Sequence, residues 1–254
     1  MTLDQFLPAN VFAIFLVFAR TGSMLMLLPG FGEFYVMQRF RLLLAVIIAF
    51  LLAPLLAPVL PPLPANAPDL VMLIGGEVVI GIFLGTVSRV LLSALDTAGT
   101  VVSLQLGLSA AQIFNPLQAQ PTAITSSFYG VFGVLLIFLT DLHHLLLRAM
   151  VESYDVFVPG ALPPFGELSE AMVHCAGGAF RLGIEMAAPF IILGTMFFVT
   201  LGLIGRLVPQ LQMLFVTQPL QIVGGLIAFA FVLASGMEWF LSAFAQQFAA
   251  LTGT

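Results

Sequence analysis

The chain has 254 residues, of which 61% are hydrophobic and 7% charged, with a net charge of −5 and a mean hydropathy of +1.15. Soluble domains are roughly 45–50% apolar and about 25% charged, so this composition excludes a soluble enzyme, which could not cover its surface, and a disordered chain, which would not be so apolar. Seven basic residues, all arginine, give no cluster for neutralising phosphates and exclude nucleic-acid binding, while the single cysteine, Cys175, excludes a disulfide framework or a cysteine-based metal cluster.

What remains is an all-α, polytopic helical membrane protein. A helix rises about 1.5 Å per residue, so about 20 apolar residues cross a hydrocarbon core of about 30 Å. Six stretches qualify: 6–28, 42–60, 70–95, 124–140, 171–204 and 220–249. The first reads as a span rather than a cleaved signal, having no basic start and no small-residue cleavage site. The second ends at Pro61, Pro62 and Pro64, which cannot continue a helix. Arg39 and Arg41 follow the first stretch, Arg89 lies late in the third, and Arg206 follows the fifth. The positive-inside bias therefore predicts cytoplasmic connections after stretches 1, 3 and 5. It also predicts periplasmic termini and a periplasmic loop over 141–170, which carries Asp141, Glu152, Asp155, Glu167 and Glu170. Stretches 3, 5 and 6 exceed what a bilayer needs, which allows tilt or extension out of the membrane plane.

Residues 96–122 break the apolar pattern. They include Thr97, Thr100, Ser103, Gln105, Ser109, Gln112 and Asn115, with Gly99 and Gly107 weakening a helix and Asn115–Pro116 marking a turn. Irregular backbone at membrane depth is tolerated inside protein or beside a water-filled path. Two readings stand: a pore-lining, gating or re-entrant element, and a cytoplasmic connector. The interleaved Leu104, Leu106, Leu108, Ile113 and Phe114 favour a packed element.

Glu77 lies within the third stretch, where a charge costs about 2.5–3.5 kcal/mol on insertion scales. It is expected to be protonated, paired, or facing water or protein. Bonding to a neighbouring helix or subunit is the plainer reading, and proton carriage the sharper one. Arg181 and Glu185, four apart, share a helix face and are expected to pair. His143 and His144 near Asp141 read as interfacial histidines, and neither a metal nor a cofactor is expected from the known motif spacings. No nucleophile elbow is present, so no catalytic residues are assigned. Gly81-x-x-x-Gly85 permits close helix approach, as do Gly130, Gly133, Gly177, Gly178, Gly183, Gly224 and Gly225. Together with 25 Phe and 11 Met they suggest a subunit embedded in a larger bundle.

The order of these motifs resembles one family over nearly the whole chain. It runs from Arg20, Pro29-Gly30-Phe31-Gly32, Arg39 and Arg41 to Gly76-Glu77-x-x-x-Gly81-x-x-x-Gly85. It continues through Ala98, Gly99 and the block Gln105-Leu106-Gly107-Leu108-Ser109-Ala110-Ala111-Gln112-Ile113-Phe114-Asn115-Pro116. His144, Pro159-Gly160, Gly202, Arg206, Pro209-Gln210, Pro219 and Gly224 complete it. This set resembles the FliR family of flagellar type III export-gate proteins, whose injectisome relatives are called SctT. Met37 stands where the family often has proline, and Gln221 where a basic residue is frequent. Asp141 and His143 beside His144 differ from the more usual glycine-containing turn.

The resemblance implies a FliP-like part over 1–170 and a FliQ-like helical hairpin over 171–254. The hairpin would turn at 206–219, with Arg206, Pro209, Gln210 and Pro219. It implies partners: FliP-like and FliQ-like subunits, other export-apparatus membrane proteins, and unfolded flagellar proteins as substrates. The location would be the bacterial inner membrane at the flagellar basal body. It further implies that 105–122 is a plug loop, with Gln105, Gly107, Leu108, Ile113, Phe114, Asn115 and Pro116 as gate residues. Apolar side chains such as Ile113 and Phe114 would dewet a constriction. A small-solute or proton-coupled secondary transporter is the alternative, favoured by interrupted helices and an intramembrane carboxylate, although no inverted second copy is visible.

Overall fold

The computed structural model describes residues 3–108, 124–161, 163–207 and 213–252, and among them every regular element is an α-helix. The helices are α1 (Leu3–Leu27), α2 (Gln38–Leu56), α3 (Ala67–Gln105), α4 (Ile124–Leu139), α5 (Leu142–Val156), α6 (Phe165–Leu207) and α7 (Met213–Thr252). Five of them, α1, α2, α3, α6 and α7, are long and apolar enough to cross a membrane. With 39, 43 and 40 residues, α3, α6 and α7 are each roughly 60 Å long, about twice the hydrocarbon thickness.

Two expectations are corrected. Residues 96–105 are helical, continuing α3, rather than irregular. Their polar side chains are satisfied locally: Thr97 Oγ1 donates to the Ser93 carbonyl (3.1 Å) and Thr100 Oγ1 to that of Asp96 (2.8 Å). Such back-bonding lets hydroxyls sit in an apolar helix. The region 141–170 is likewise no simple loop, since 142–156 form α5. The fourth apolar stretch, α4, has 16 residues and is bent by 75° from α5 at Thr140–Asp141, where Asp141 adopts a left-handed φ of 59°.

The described residues cluster into two compact units, one of Met1–Leu91, Ile137–Ala176 and Ala245–Thr254, the other of Leu92–Leu136 and Gly177–Phe244. The expected division at 170/171 does not coincide with the boundaries of these units, and α6 runs through it.

In the first unit small residues face inward and large ones outward. α2 buries Ala45, Ala49 and Ala53, four apart on one stripe, while Phe40, Leu43, Ile47, Phe50, Leu51 and Leu55 are exposed. Ala49 and Ala53 join Val17 of α1, Leu56 and Tyr154 of α5 in one cluster. On α3, Gly81 lies against Ser23 and the Arg20 carbonyl, and Gly85 against Leu27 and the Met24 carbonyl. Close approach at small residues is how helices associate where the solvent gives no hydrophobic push.

The same unit overturns part of the expected topology. The Phe138 ring, at the end of α4, stands against Gly30 and lies 5.5 Å from Phe31. Asp141 is therefore near the α1–α2 connection rather than on the opposite side from it. Gly160 lies instead against Pro61 and Leu73, at the other end of α2 and α3. The physical reason is α5, an additional helix that hydropathy alone does not register.

In the second unit the end of α3 is wedged between α4 and α6. Gly99 meets the Ser126 backbone, Gly133 meets Leu95, and Gly183 meets the Ala94 carbonyl and Thr97. Phe229 of α7 stacks edge-on with Phe128 and Tyr129 of α4 (5.8 and 5.4 Å) and lies 6.1 Å from Phe190 of α6.

Candidate functional site

Two features stand out, one in each unit. The first is built around Arg20 in α1 and Glu77 in α3, whose side chains are 0% and 1% exposed. Arg20 Nε donates to Glu77 Oε2 (2.6 Å) and Nη2 to Oε1 (3.0 Å), a fork-on-fork pair. Nη1 donates to the Ser153 carbonyl (2.9 Å) and hydroxyl (3.3 Å), and Nη2 also to the Phe157 carbonyl (2.9 Å). All five guanidinium N–H groups thus have an acceptor. The Tyr154 ring lies 3.9 Å from the guanidinium carbon, adding a cation–π contact. The Phe157 carbonyl is available because α5 ends at Val156, and the Ser153 hydroxyl in turn donates to the Met150 carbonyl (2.7 Å).

Glu77 is therefore paired within its own chain, as the plainer reading expects. The sequence reading did not name Arg20 as its partner. A signal existed: Arg20 is a charge inside the first apolar stretch with no neighbour of opposite sign in sequence, and membrane charges seek partners. Arg181 and Glu185 pair as expected (2.7 Å), but Arg181 is 81% exposed, so their pairing is a surface feature of α6. Arg41 donates from Nη2 to the Glu33 and Val36 carbonyls (2.8 and 3.1 Å), and Arg89 reaches Glu33 at 3.7 Å, binding the α1–α2 connection down. In that connection partial burial and then the Glu33 carboxylate raise the Tyr35 phenol above its ordinary pKa.

The second feature is the root of the candidate plug. α3 ends at Gln105, and Gly107 turns the chain with a φ of +72°, a conformation glycine adopts without strain. Gln221 of α7 donates from Nε2 to the Gln105 carbonyl (2.8 Å), satisfying an acceptor that the helix end leaves open. Gly194 of α6 faces Gln105 and Gly225 of α7 faces Leu106, beside a cleft of about 230 Å³. Leu108 follows, half-buried. Ile113, Phe114, Asn115 and Pro116 lie outside the described residues, as do Pro209 and Gln210 of the expected hairpin turn. Arg206 is exposed in the last turn of α6, and Pro219 lies within α7. Gln221, in sequence a departure from the family's frequent basic residue, is the side chain that bonds the end of α3.

These features define a multi-pass helical membrane protein held together by small-residue contacts and a buried ion pair. The model of the family described as bacterial export proteins, family 1, matches residues 11–247. The chain is 36% identical over 231 residues to the flagellar biosynthetic protein FliR of Caulobacter vibrioides, covering 91% of this chain and 92% of the relative. It is 26% identical over 227 residues to the FliR of Aquifex aeolicus (89% and 86%). It is 27% identical over 150 residues to the secretion system apparatus protein SsaT of Salmonella typhimurium (59% and 58%). The chain belongs to the FliR family of bacterial export proteins. It is accordingly a multi-pass inner-membrane component of a flagellar or type III export apparatus.

Proposed function

We propose that the chain is a core, non-enzymatic subunit of the flagellar type III export gate, forming with FliP-like and FliQ-like subunits the channel for unfolded flagellar proteins. Residues 1–170 are the FliP-like part, 171–254 the FliQ-like hairpin, and 105–122 the plug. The observation that carries this reading is the length over which apolar side chains face outward. On α6 exposed apolar side chains stand at Val173 and Phe180 and again from Ile192 to Leu207, with the exposed Arg181 between, so they are spread over about 51 Å of helix. Even at a 40° tilt such a face rises about 39 Å, more than the roughly 30 Å of hydrocarbon available to cover it. Protein neighbours account for the remainder.

The transporter alternative draws on interrupted helices and on Glu77 as an intramembrane carboxylate. With both carboxylate oxygens engaged by Arg20, that carboxylate reads as a structural tie. Pull-down of the tagged full chain from membranes, followed by mass spectrometry, separates the two. A gate subunit brings down two further hydrophobic proteins in fixed ratio, whereas a transporter is recovered alone or as a homo-oligomer. Deleting 105–122 is expected to leave that complex assembled while making the membrane leaky to ions. An assembled deletion complex with unchanged permeability would refute the plug.

A further inference from the structure

The α4–α5 bend brings together three side chains outside the two features described above. We propose that Asp141, His143 and His144 form a binding site for one divalent transition-metal ion of the zinc class. Their donor atoms all lie within 4.8 Å of one another, and His144 Nδ1 is 3.6 Å from Asp141 Oδ1. Two donors about 2.1 Å from a tetrahedral ion are about 3.4 Å apart, so one pair is already close to ligating distance. The others must close by at most about 1.4 Å, and Asp141 and His144, at 77% and 69% exposure, are free to turn.

The local structure holds the groups close together. Asp141 takes a left-handed conformation, which Asp tolerates better than most residues, and which sends the chain sharply into α5. The His143 ring is stacked on Phe138 (5.0 Å, 17° between planes), and Phe138 is itself held against Gly30 and Phe31. The His143 ring is therefore fixed before any ion arrives. Its Nδ1 is enclosed and has no hydrogen-bond partner among the described residues. The His144 ring lies 4.1 Å from that of His143.

Two imidazoles and one carboxylate make the three-ligand, open zinc set, with a water as the fourth ligand. Nitrogen donors select zinc-class ions over magnesium or calcium, which take oxygen. A bound ion would tie the residue at the bend to the first turn of α5 and hold the bend angle. Contrast His174, which has only Glu170 opposite it at 3.8 Å, one turn away on α6.

The test is Zn²⁺ titration of the full chain, purified in detergent with an affinity tag that contains no histidine, against a chelating indicator. One Zn²⁺ per chain is expected. His144→Ala and Asp141→Asn should each weaken binding by at least about tenfold, the loss that removing even a partner of a ligand brings. His174→Ala should leave affinity unchanged. Asparagine keeps the left-handed preference, so D141N guards against a misfolded variant, and elution as a single species checks each protein. Equal Zn²⁺ affinity in the wild type and a folded His143→Ala/His144→Ala double variant would overturn the site. So would loss of binding in H174A alone.

Discussion

Replacing Glu77 with alanine leaves Arg20 fully enclosed with two of its five N–H groups unpaired. Each charge-assisted hydrogen bond is worth about 1.5–3 kcal/mol, and an enclosed charge that loses its partner typically costs about 3–5 kcal/mol. The expected destabilisation of Glu77→Ala is therefore about 3–5 kcal/mol, with Arg20→Ala in the same range because it strands the carboxylate instead. The two losses should not add. A double variant, Arg20→Met with Glu77→Leu, removes both charges at similar volume and should recover most of the loss. Glu77→Gln keeps the shape and one acceptor oxygen, so its effect should be the smallest of the single changes. The assay is heat-induced loss of the monodisperse elution peak of the detergent-purified chain, run as a double-mutant cycle. Additive effects in that cycle would refute the structural tie. So would a Glu77→Ala chain as stable as the wild type. A Glu77→Gln protein that assembles fully yet exports nothing would instead restore the proton-carrying role.

Three further outcomes follow from the packing and hydrogen bonding. Gly81→Ala places a methyl against the Arg20 carbonyl and Ser23, and should cost about 1–3 kcal/mol in the same melting assay. Gly75→Ala, with nothing within 4 Å of the added carbon, should be neutral or stabilising by up to about 1 kcal/mol through helix propensity. Gln221→Leu removes the hydrogen bond to the Gln105 carbonyl and should cost about 0.5–1.5 kcal/mol locally. Faster amide hydrogen exchange over 104–108, with the rest of the chain unchanged, is the expected signature.

Much of the molecule was legible without coordinates. The apolar stretches marked the long helices, since membrane-depth backbone must bond within its own segment. Gly81 and Gly85 announced a close helix contact, and the expense of a buried carboxylate announced that Glu77 needs a partner. α5 was also written in the sequence, in a different code. Its buried residues Leu146, Ala149, Met150, Ser153 and Tyr154 recur with helical period, but Arg148, Glu152 and two histidines dilute its hydropathy. The helical character of 96–105 was hidden for the opposite reason. Gly99, Thr97 and Thr100 are poor helix formers, and what keeps them helical is contact with α4 and α6, the Thr125 hydroxyl donating to the Gly99 carbonyl among them.

Tertiary structure alone chose the partners. Arg20 and Glu77 are 57 residues apart, Arg20 and Ser153 are 133 apart, and Gln105 and Gln221 are 116 apart. Local preference reaches only a few residues along a chain. A charge in sequence can show that it needs an opposite, while which one it meets depends on how α1, α3 and α5 cross.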